Sequence, residues 1–233
     1  MTDDLDDLIR RTDPDRWLSS RFIGDPQARA DVIALYAYDH ELGRAPKVAS
    51  NSLLGEIRLT WWREVLDEVF EGRPVRRHPT AQALADLVAR HGLPREPLEA
   101  MIDARYPELE SAPLSAQDAR TVADGGAGEC ARLAMRILGD PAEASVAPGW
   151  AAAWGLSRLI QAGRVDPAAV DDLRADLRRT LAEARTVERD YVSAEAFPAI
   201  AHATLAPTYA AGRSPGQTQK RLRLIWAVAR GRI

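Results

Sequence analysis

The chain has 233 residues, of which 46% are hydrophobic and 28% are charged, so it can bury a full-sized core within one large domain. Its 31 basic and 34 acidic residues give a formal net charge of -3, which excludes a global electrostatic attraction to nucleic acid. Cys130 is the only cysteine, so a disulfide within the chain is excluded and a cysteine-based zinc site is disfavoured.

The N-terminal segment, MTDDLDDLIRR, is acidic and lacks the basic start and apolar run of a secretory signal. No stretch of the sequence approaches the roughly 18 uninterrupted apolar residues of a membrane span. We therefore expect a cytoplasmic protein, with peripheral attachment at the inner membrane as an open alternative.

Signals that begin helices recur along the chain, whereas alternating strand patterns bounded by turn residues are nearly absent. Asp25 followed by Pro26 is typical of an N-cap and a first helical position, and predicts a helix to about Leu42. The same pattern opens two later predicted helices, at 166–167, leading to a helix that ends at about residue 193, and at 214–215.

Apolar spacing and glycine or proline breaks predict further helices at 52–70, 79–91, 94–109, 115–138, 141–163 and 197–211. The fold class is therefore predicted to be all-α, with a single domain over residues 1–233 and about eight to ten helices.

The segment 52–70 carries a stripe of apolar residues at spacings of three and four, namely Leu54, Ile57, Trp61, Val65 and Val69. Further apolar residues widen this stripe on both sides. We predict that this helix is central to the fold and that Trp61 is largely buried.

The helix that starts at Pro26 carries the acidic run Asp39, His40 and Glu41 near its end. Successive side chains on a helix point about 100° apart, so these three cannot reach one ion together. Asp39 meets Gly43 rather than a second carboxylate at the i+4 position. We interpret the run as a solvated helix end.

The segment Gly126–Ala131 matches the loose dinucleotide pattern GxGxxA. That pattern binds pyrophosphate only between a strand and a helix, and the residues before it look helical. We interpret it as a site of close helix packing or a kink. The four histidines show no metal-ligand spacing with one another or with Cys130.

Two tryptophans, Trp61 and Trp62, lie near the basic residues Arg58, Arg44 and Lys47 in the sequence. Tryptophans in a chain with few aromatic residues usually belong to the core. An apolar pocket with cationic groups at its mouth is the alternative, and both interpretations stay open.

Several stretches resemble the squalene/phytoene synthase family, in particular the branch without aspartate-rich motifs that includes a mitochondrial complex I assembly factor. The most specific signal is LGEIRLTWWRE at 54–64 followed by HGLPREPLEAMIDAR at 91–105. The stretches DRWLSSRF at 15–22, ALYAYDHELGR at 34–44 and GGAGECARLAMRILG at 125–139 add to it. The resemblance implies an isoprenoid-synthase fold, with helices around a deep apolar cavity.

The active enzymes of the family need two facing helices with DxxxD motifs. Carboxylates at i and i+4 share one helical face, and two such pairs hold the Mg²⁺ ions that grip a diphosphate. The resemblance places the acidic positions of the first motif on Gly43, Arg44 and Lys47. The first acidic position of the second motif falls on Ala162, and Asp166 remains as the cap of the next helix.

The resemblance therefore implies that both carboxylate pairs are lost. We expect no cofactor, and Mg²⁺ only if the protein is an active prenyl transferase. We also expect a pocket in which cations contact an isoprenoid or anionic lipid without metal. The residues predicted to form it are Tyr36, His40, Arg44, Lys47, Arg58, Trp62 and Arg158.

Three functions are compatible with the sequence. The first is a non-catalytic family member that acts as an assembly or scaffold factor, with a protein partner in a membrane complex, or that binds a lipid. The second is a prenyl transferase that joins two isoprenyl diphosphates head to head. The third is an unrelated helical interaction protein. None of them involves nucleic acid.

The final segment, QKRLRLIWAVARGRI, places Leu222, Ile225, Trp226 and Ala229 on one side of a helix that is rich in basic residues. One interpretation is a last helix docked on the core. The alternative is a basic amphipathic tail that binds a membrane surface or a partner.

Overall fold

The computed structural model of the chain describes residues 2–48, 52–140, 147–186 and 192–233. Over these ranges the backbone is mostly helical, which confirms the predicted all-α class. Within the same ranges the only β-type pairing is an isolated bridge between Leu114 and Val165.

The α-helices are, in chain order, α1 (Thr2–Thr12), α2 (Pro14–Ser20), α3 (Pro26–Val48), α4 (Ser52–Phe70), α5 (Pro79–His91), α6 (Arg95–Asp103), α7 (Ala116–Ala123), α8 (Glu129–Ile137), α9 (Ala147–Gln161), α10 (Val170–Thr186), α11 (Ala206–Ala210) and α12 (Gln217–Arg230). A π-helical turn (Asp124–Gly128) joins α7 to α8. Short 3-10 turns lie at Tyr106–Leu109, Pro167–Ala169, Phe197–Ala199 and Ala201–Leu205.

The helix starts follow the chemistry of their capping residues. The Asp25 carboxylate accepts a hydrogen bond from the Gln27 backbone N–H at 2.7 Å, and Asp166 accepts one from Ala168 at 2.9 Å, so both residues are confirmed as caps. Asp166 caps the 3-10 turn that precedes α10. The last helix begins at Gln217, two residues later than the proline at 215 suggests.

Helix α3 is longer than predicted, because it continues past Leu42 and through Pro46 to Val48. Pro46 lies in the last turn of α3, where its missing N–H removes a single bond from a helix that is about to end. The predicted end of this helix at about Leu42 was therefore wrong.

Three predicted helices are divided in the structure. The segment 115–138 forms α7, the π-helical turn and α8. The segment 94–109 forms α6 and then a 3-10 turn, and the segment 197–211 forms two 3-10 turns followed by α11. Residues 141–146 and 187–191 belong to predicted helices but lie outside the described residues.

Helix α3 forms the centre of the core. Every residue from Val32 to Tyr38 is buried, so this part of α3 is enclosed on all sides. Helix α9 is also largely buried and packs against the π-helical turn, α10 and α11. The candidate functional site lies where α2, α3 and α9 meet.

Helix α4 is rotated relative to the prediction. Its buried stripe contains Gly55, Leu59 and Trp62, whereas Leu53 and Ile57 are 61% and 54% exposed. Trp62 is 4% exposed, but Trp61 is only partly buried, and the Arg76 guanidinium carbon lies 4.9 Å from its ring centroid. The prediction of a largely buried Trp61 was therefore wrong, because Gly55, Leu59 and Trp62 pack on the core in place of Leu54, Ile57 and Trp61. Val65 of the predicted stripe is buried.

Candidate functional site: a charged cleft between α2, α3 and α9

The helices enclose a cleft of about 240 Å³ between α2, α3, α9 and the segment that follows α6. Its walls carry the carboxylates of Asp13, Asp39 and Glu108 and the guanidinium groups of Arg16, Arg44, Arg105 and Arg158. The sequence led us to expect a deep apolar cavity at this place. In the part of the chain that the structure describes, a small cleft lined by many charged groups lies there instead.

The floor of the cleft is a chain of alternating buried charges, which we call the buried ion chain: Asp13, Arg16, Asp39, Arg105 and Glu108. Arg16 Nε donates to Asp13 Oδ2 at 2.5 Å, and Arg16 Nη2 donates to Asp39 Oδ2 at 2.6 Å. Arg105 donates to the other oxygen of Asp39 and, at 3.0 Å, to Glu108 Oε2. The chain joins α2, α3 and the turn after α6.

Asp39 is ionised because of these contacts. Burial alone would raise the pKa of its carboxyl, but the guanidinium groups of Arg105 and Arg16 outweigh burial and lower the pKa to about 2. Asp39 is 5% exposed, so its interpretation as part of a solvated helix end was wrong. The sequence pattern could not reveal this, since the two partners come from α2 and from the residues after α6.

The glycines of the π-helical turn make room for Arg105. A Cβ atom on Gly126 would lie 2.9 Å from Arg105 Nη2, and one on Gly125 would lie 2.5 Å from the Ala104 Cβ. This turn is helical on both sides and carries no strand before it. The GxGxxA pattern therefore serves close packing, as interpreted from the sequence.

A second network lies next to the cleft around Asp15, whose side chain is fully buried. Its carboxylate accepts hydrogen bonds from Tyr209 OH at 2.6 Å and from Lys220 Nζ at 2.7 Å. Trp154 Nε1 and Arg158 Nη1 donate to the same carboxylate at 3.2 and 3.3 Å. This network connects α2, the cleft wall on α9 and the C-terminal helix α12.

Behind Arg16 lies a buried group of polar side chains. The Arg16 guanidinium carbon is 4.9 Å from the centroid of the Tyr36 ring, and Nη1 donates to Cys130 Sγ at 3.4 Å. His202 is 1% exposed, packs edge-on against Trp154, and has no hydrogen-bond partner on either ring nitrogen among the described residues. Burial, followed by the charge of Arg16, lowers the pKa of His202 to about 3.

The cleft contains three of the residues predicted for the pocket, His40, Arg44 and Arg158. Tyr36 lies behind the cleft floor, under Arg16, and does not line it. The side chain of Lys47 lies outside the described residues.

Arg58 and Trp62 are not part of the cleft. Arg58 is exposed on α4, and Trp62 packs against Tyr38 and His78, with ring centroids 5.2 and 5.5 Å away. Their assignment to the pocket was wrong, because the face of α4 that carries Trp62 packs on the core instead of the cleft.

Sequence reasoning missed six charged residues of the two networks: Asp13, Arg16, Arg105, Glu108, Asp15 and Lys220. A signal was present for three of them. Asp15 and Arg16 begin the stretch DRWLSSRF, and Arg105 ends the stretch MIDAR. Both stretches belong to the resemblance, but neither reveals by itself which charges meet.

The comparison with protein families decides the relationship. The family model for squalene/phytoene synthase matches residues 9–231. The chain belongs to this family.

Curated relatives include the NADH dehydrogenase (ubiquinone) complex I, assembly factor 6 of Bos taurus, at 27% identity, and of Homo sapiens, at 25% identity. Each match extends over 134 residues and covers 57% of this chain and 40% of the relative. The matched region thus spans well under half the length of these relatives.

Two solved structures share the fold. One is a dehydrosqualene synthase in complex with a ligand, with a TM-score of 0.68 at 13% identity, covering 98% of this chain and 95% of that chain. The other is squalene synthase HpnC from Alicyclobacillus acidocaldarius, with a TM-score of 0.56 at 20% identity, covering 99% and 94%. At these identities the likeness establishes the fold alone.

The cleft does not fit the Mg²⁺ sites of squalene/phytoene synthases. On α3 the cleft-facing residues are Asp39, His40, Gly43 and Arg44, so no second carboxylate stands one turn after Asp39. On α9 the cleft-facing residues are Trp154, Gly155, Arg158 and Leu159, and Ala162 follows the end of that helix. Within the described ranges, no group of three or more His, Cys, Asp or Glu side chains is arranged to hold a metal ion.

In the part of the chain that the structure describes, no helix combines the length and the hydrophobicity that a membrane span needs.

Proposed function

We propose that this protein is a non-catalytic member of the squalene/phytoene synthase family that acts as an assembly or scaffold factor for a membrane protein complex. The name of its curated relatives, complex I assembly factor 6, supports the assembly role. The ion pairs that occupy both oxygens of Asp39 support the non-catalytic part of the proposal.

Asp39 is a carboxylate of α3 that faces the cleft, and two arginines already bind both of its oxygens. A Mg²⁺ ion would have to displace Arg16 or Arg105, which would leave a buried guanidinium group without one of its two carboxylate partners. The other cleft carboxylates, Asp13 and Glu108, are bound by the same two arginines. The buried ion chain therefore holds α2, α3 and the turn after α6 together, and it leaves few oxygen ligands for a hydrated divalent ion.

A diphosphate clamp needs several such ions, because the leaving group gains negative charge while a carbocation forms. The cleft offers four arginines for its three carboxylates. This charge pattern supports a scaffold that has kept the fold and lost the ionisation chemistry.

A second candidate function is binding of an anionic lipid or isoprenoid head group without metal. Arg44 and Arg158 line the cleft, and their side chains are 45% and 39% exposed. Each has a carboxylate neighbour, Glu41 and Asp15, yet both remain accessible to a phosphate.

Two measurements test the main proposal. Purified protein incubated with Mg²⁺ and farnesyl or geranylgeranyl diphosphate is expected to form no C30 or C40 product, and steady product formation would overturn the proposal. Deletion of the gene in the native host is expected to lower the amount of assembled NADH dehydrogenase complex on native gels. The wild-type chain should restore it.

The same complementation separates the two candidates. The Arg44→Ala/Arg158→Ala variant should restore assembly if the protein is a scaffold alone. If that variant folds but fails to restore assembly, the cleft ligand is part of the function. Normal assembly in the deletion strain would contradict the assembly role.

A further inference from the structure

The C-terminal helix α12 has two faces with different chemistry. Its inner face buries Lys220, Leu224 and Ala227, which are spaced by four and three residues. The buried Lys220 ammonium donates to Asp15, so α12 is docked on the body of the protein. The interpretation as a docked last helix is therefore confirmed by the structure.

The outer face of α12 exposes large apolar side chains. Leu222, Ile225 and Trp226 are 55%, 49% and 57% exposed, and their spacing places them side by side on the helix. Leu222 and Trp226 border an open groove of about 680 Å³. A contiguous exposed apolar patch of this kind marks a surface that is covered in its working state.

Exposed cations frame this patch. Arg221, Arg230 and Arg232 are exposed, and no carboxylate pairs with them among residues the structure describes. The guanidinium carbon of Arg230 lies 4.1 Å from the Trp226 ring centroid. The segment from Gln217 to Ile233 contains no acidic residue, although the whole chain has a net charge of -3. The positive charge is thus concentrated at this face.

We propose that the outer face of α12, defined by Leu222, Ile225, Trp226, Arg221 and Arg230, binds the surface of an anionic lipid bilayer. Tryptophan and leucine enter the boundary between head groups and acyl chains, while arginines above them pair with anionic head groups. A second copy of the chain fits poorly, because pairing two identical faces would bring their arginines together. The proposal does not rest on the function proposed for the cleft.

The test is cosedimentation of the full chain with vesicles of phosphatidylcholine and phosphatidylglycerol at 3:1, compared with pure phosphatidylcholine. Wild type should bind the anionic vesicles and lose binding as NaCl rises, since salt screens the charges. Each arginine near such a surface is worth about fivefold, so Arg221→Gln/Arg230→Gln should weaken binding roughly 30-fold. Leu222→Ser/Trp226→Ser should weaken it by about tenfold or more.

Matched controls exist elsewhere on the surface. Leu53→Ser/Ile57→Ser removes equally exposed apolar groups from α4, and Arg178→Gln/Arg179→Gln removes two exposed arginines from α10. Both controls should bind like wild type. Because the altered α12 side chains are exposed, the variants should keep the wild-type melting temperature.

Three results would overturn the proposal. One is wild-type protein that does not prefer anionic vesicles, and another is equal loss of binding in the α12 variants and the controls. The third is a wild-type dimer that Leu222→Ser/Trp226→Ser converts to a monomer in size-exclusion chromatography, since that outcome assigns the face to a second copy.

Discussion

Arg16 of α2 and Asp39 of α3 form a buried ion pair in which Arg16 Nη2 lies 2.6 Å from Asp39 Oδ2. Their side chains are 7% and 6% exposed. This pair stands on the face of α3 where the active enzymes of the family hold metal, according to the resemblance in sequence. The Asp39 carboxylate therefore joins α3 to α2 and to the turn after α6. The contribution of this carboxylate to stability and the binding of a ligand in the cleft can be measured separately.

Removing the charge of Asp39 should destabilise the fold strongly. Asp39→Asn keeps the shape of the side chain but leaves Arg16 and Arg105 buried with one carboxylate each. Breaking a buried pair in this way costs about 3–5 kcal/mol. Urea unfolding checks this value. Glu41→Gln, two residues away in the half-exposed pair with Arg44, should cost at most about 1 kcal/mol. Equal effects would mean that the ion chain does not stabilise the fold.

His202 should make the protein sensitive to mild acid. The pKa of the folded-state imidazole is about 3, below its ordinary value of 6.5, so below pH 6.5 the unfolded chain binds a proton that the folded chain does not. Stability should therefore be constant above about pH 7 and fall as pH drops, by about 2 kcal/mol at pH 5. The measurement is the free energy of unfolding from pH 8 to 5.

The control is His202→Phe, which replaces a ring without hydrogen-bond partners by an apolar ring. At pH 8 this variant should be about as stable as wild type, because it removes two unpaired buried nitrogens. Its stability should stay flat down to pH 5. A slope as steep as that of wild type would assign the acid sensitivity to other groups. Asp39 acts in a lower window, since its depressed pKa contributes stability above pH 4 that is lost as pH falls toward 2.

The two adjacent tryptophans of α4 should differ in their effect on stability. Trp62 is 4% exposed, so Trp62→Ala should cost about 3–5 kcal/mol through lost burial and a cavity. Trp61 is only partly buried beside Arg76, and Trp61→Ala should cost roughly half as much. Chemical denaturation of both variants checks the order. A larger loss for Trp61 would contradict the rotation of α4 described above.

If the cleft binds an anionic head group, binding should need arginines and no metal. We expect farnesyl diphosphate to bind in EDTA and Arg44→Ala/Arg158→Ala to weaken it by about 10²-fold or more, since charge-assisted contacts are worth about 1.5–3 kcal/mol each. Calorimetry measures the affinity. Arg73→Ala/Arg179→Ala, on the exposed surface, is the control and should bind like wild type. Binding that disappears in EDTA would refute this second candidate.

The all-α class, the starts of α3 and of the turn before α10, and the family could be predicted from the sequence. Each depends on neighbouring residues or on a continuous stretch: an Asp-Pro cap acts within one turn, and apolar spacing reports a helix wherever that helix later packs. The absence of a second carboxylate one turn after Asp39 could be predicted for the same reason. On a helix the residue one turn later is the one four positions along the chain, and that residue is Gly43.

The charge pairing of the cleft was decided by the tertiary structure alone. Asp39 meets Arg16 from 23 residues away and Arg105 from 66 residues away, and Lys220 meets Asp15 across 205 residues. Nothing local distinguishes these charges from solvated ones until α2, α3 and α12 pack together. The same holds for α4, where Gly55, Leu59 and Trp62 pack on the core in place of the predicted Leu54, Ile57 and Trp61. Helix packing sets that rotation, since the periodicity of a helix that is apolar on several sides is compatible with more than one buried face.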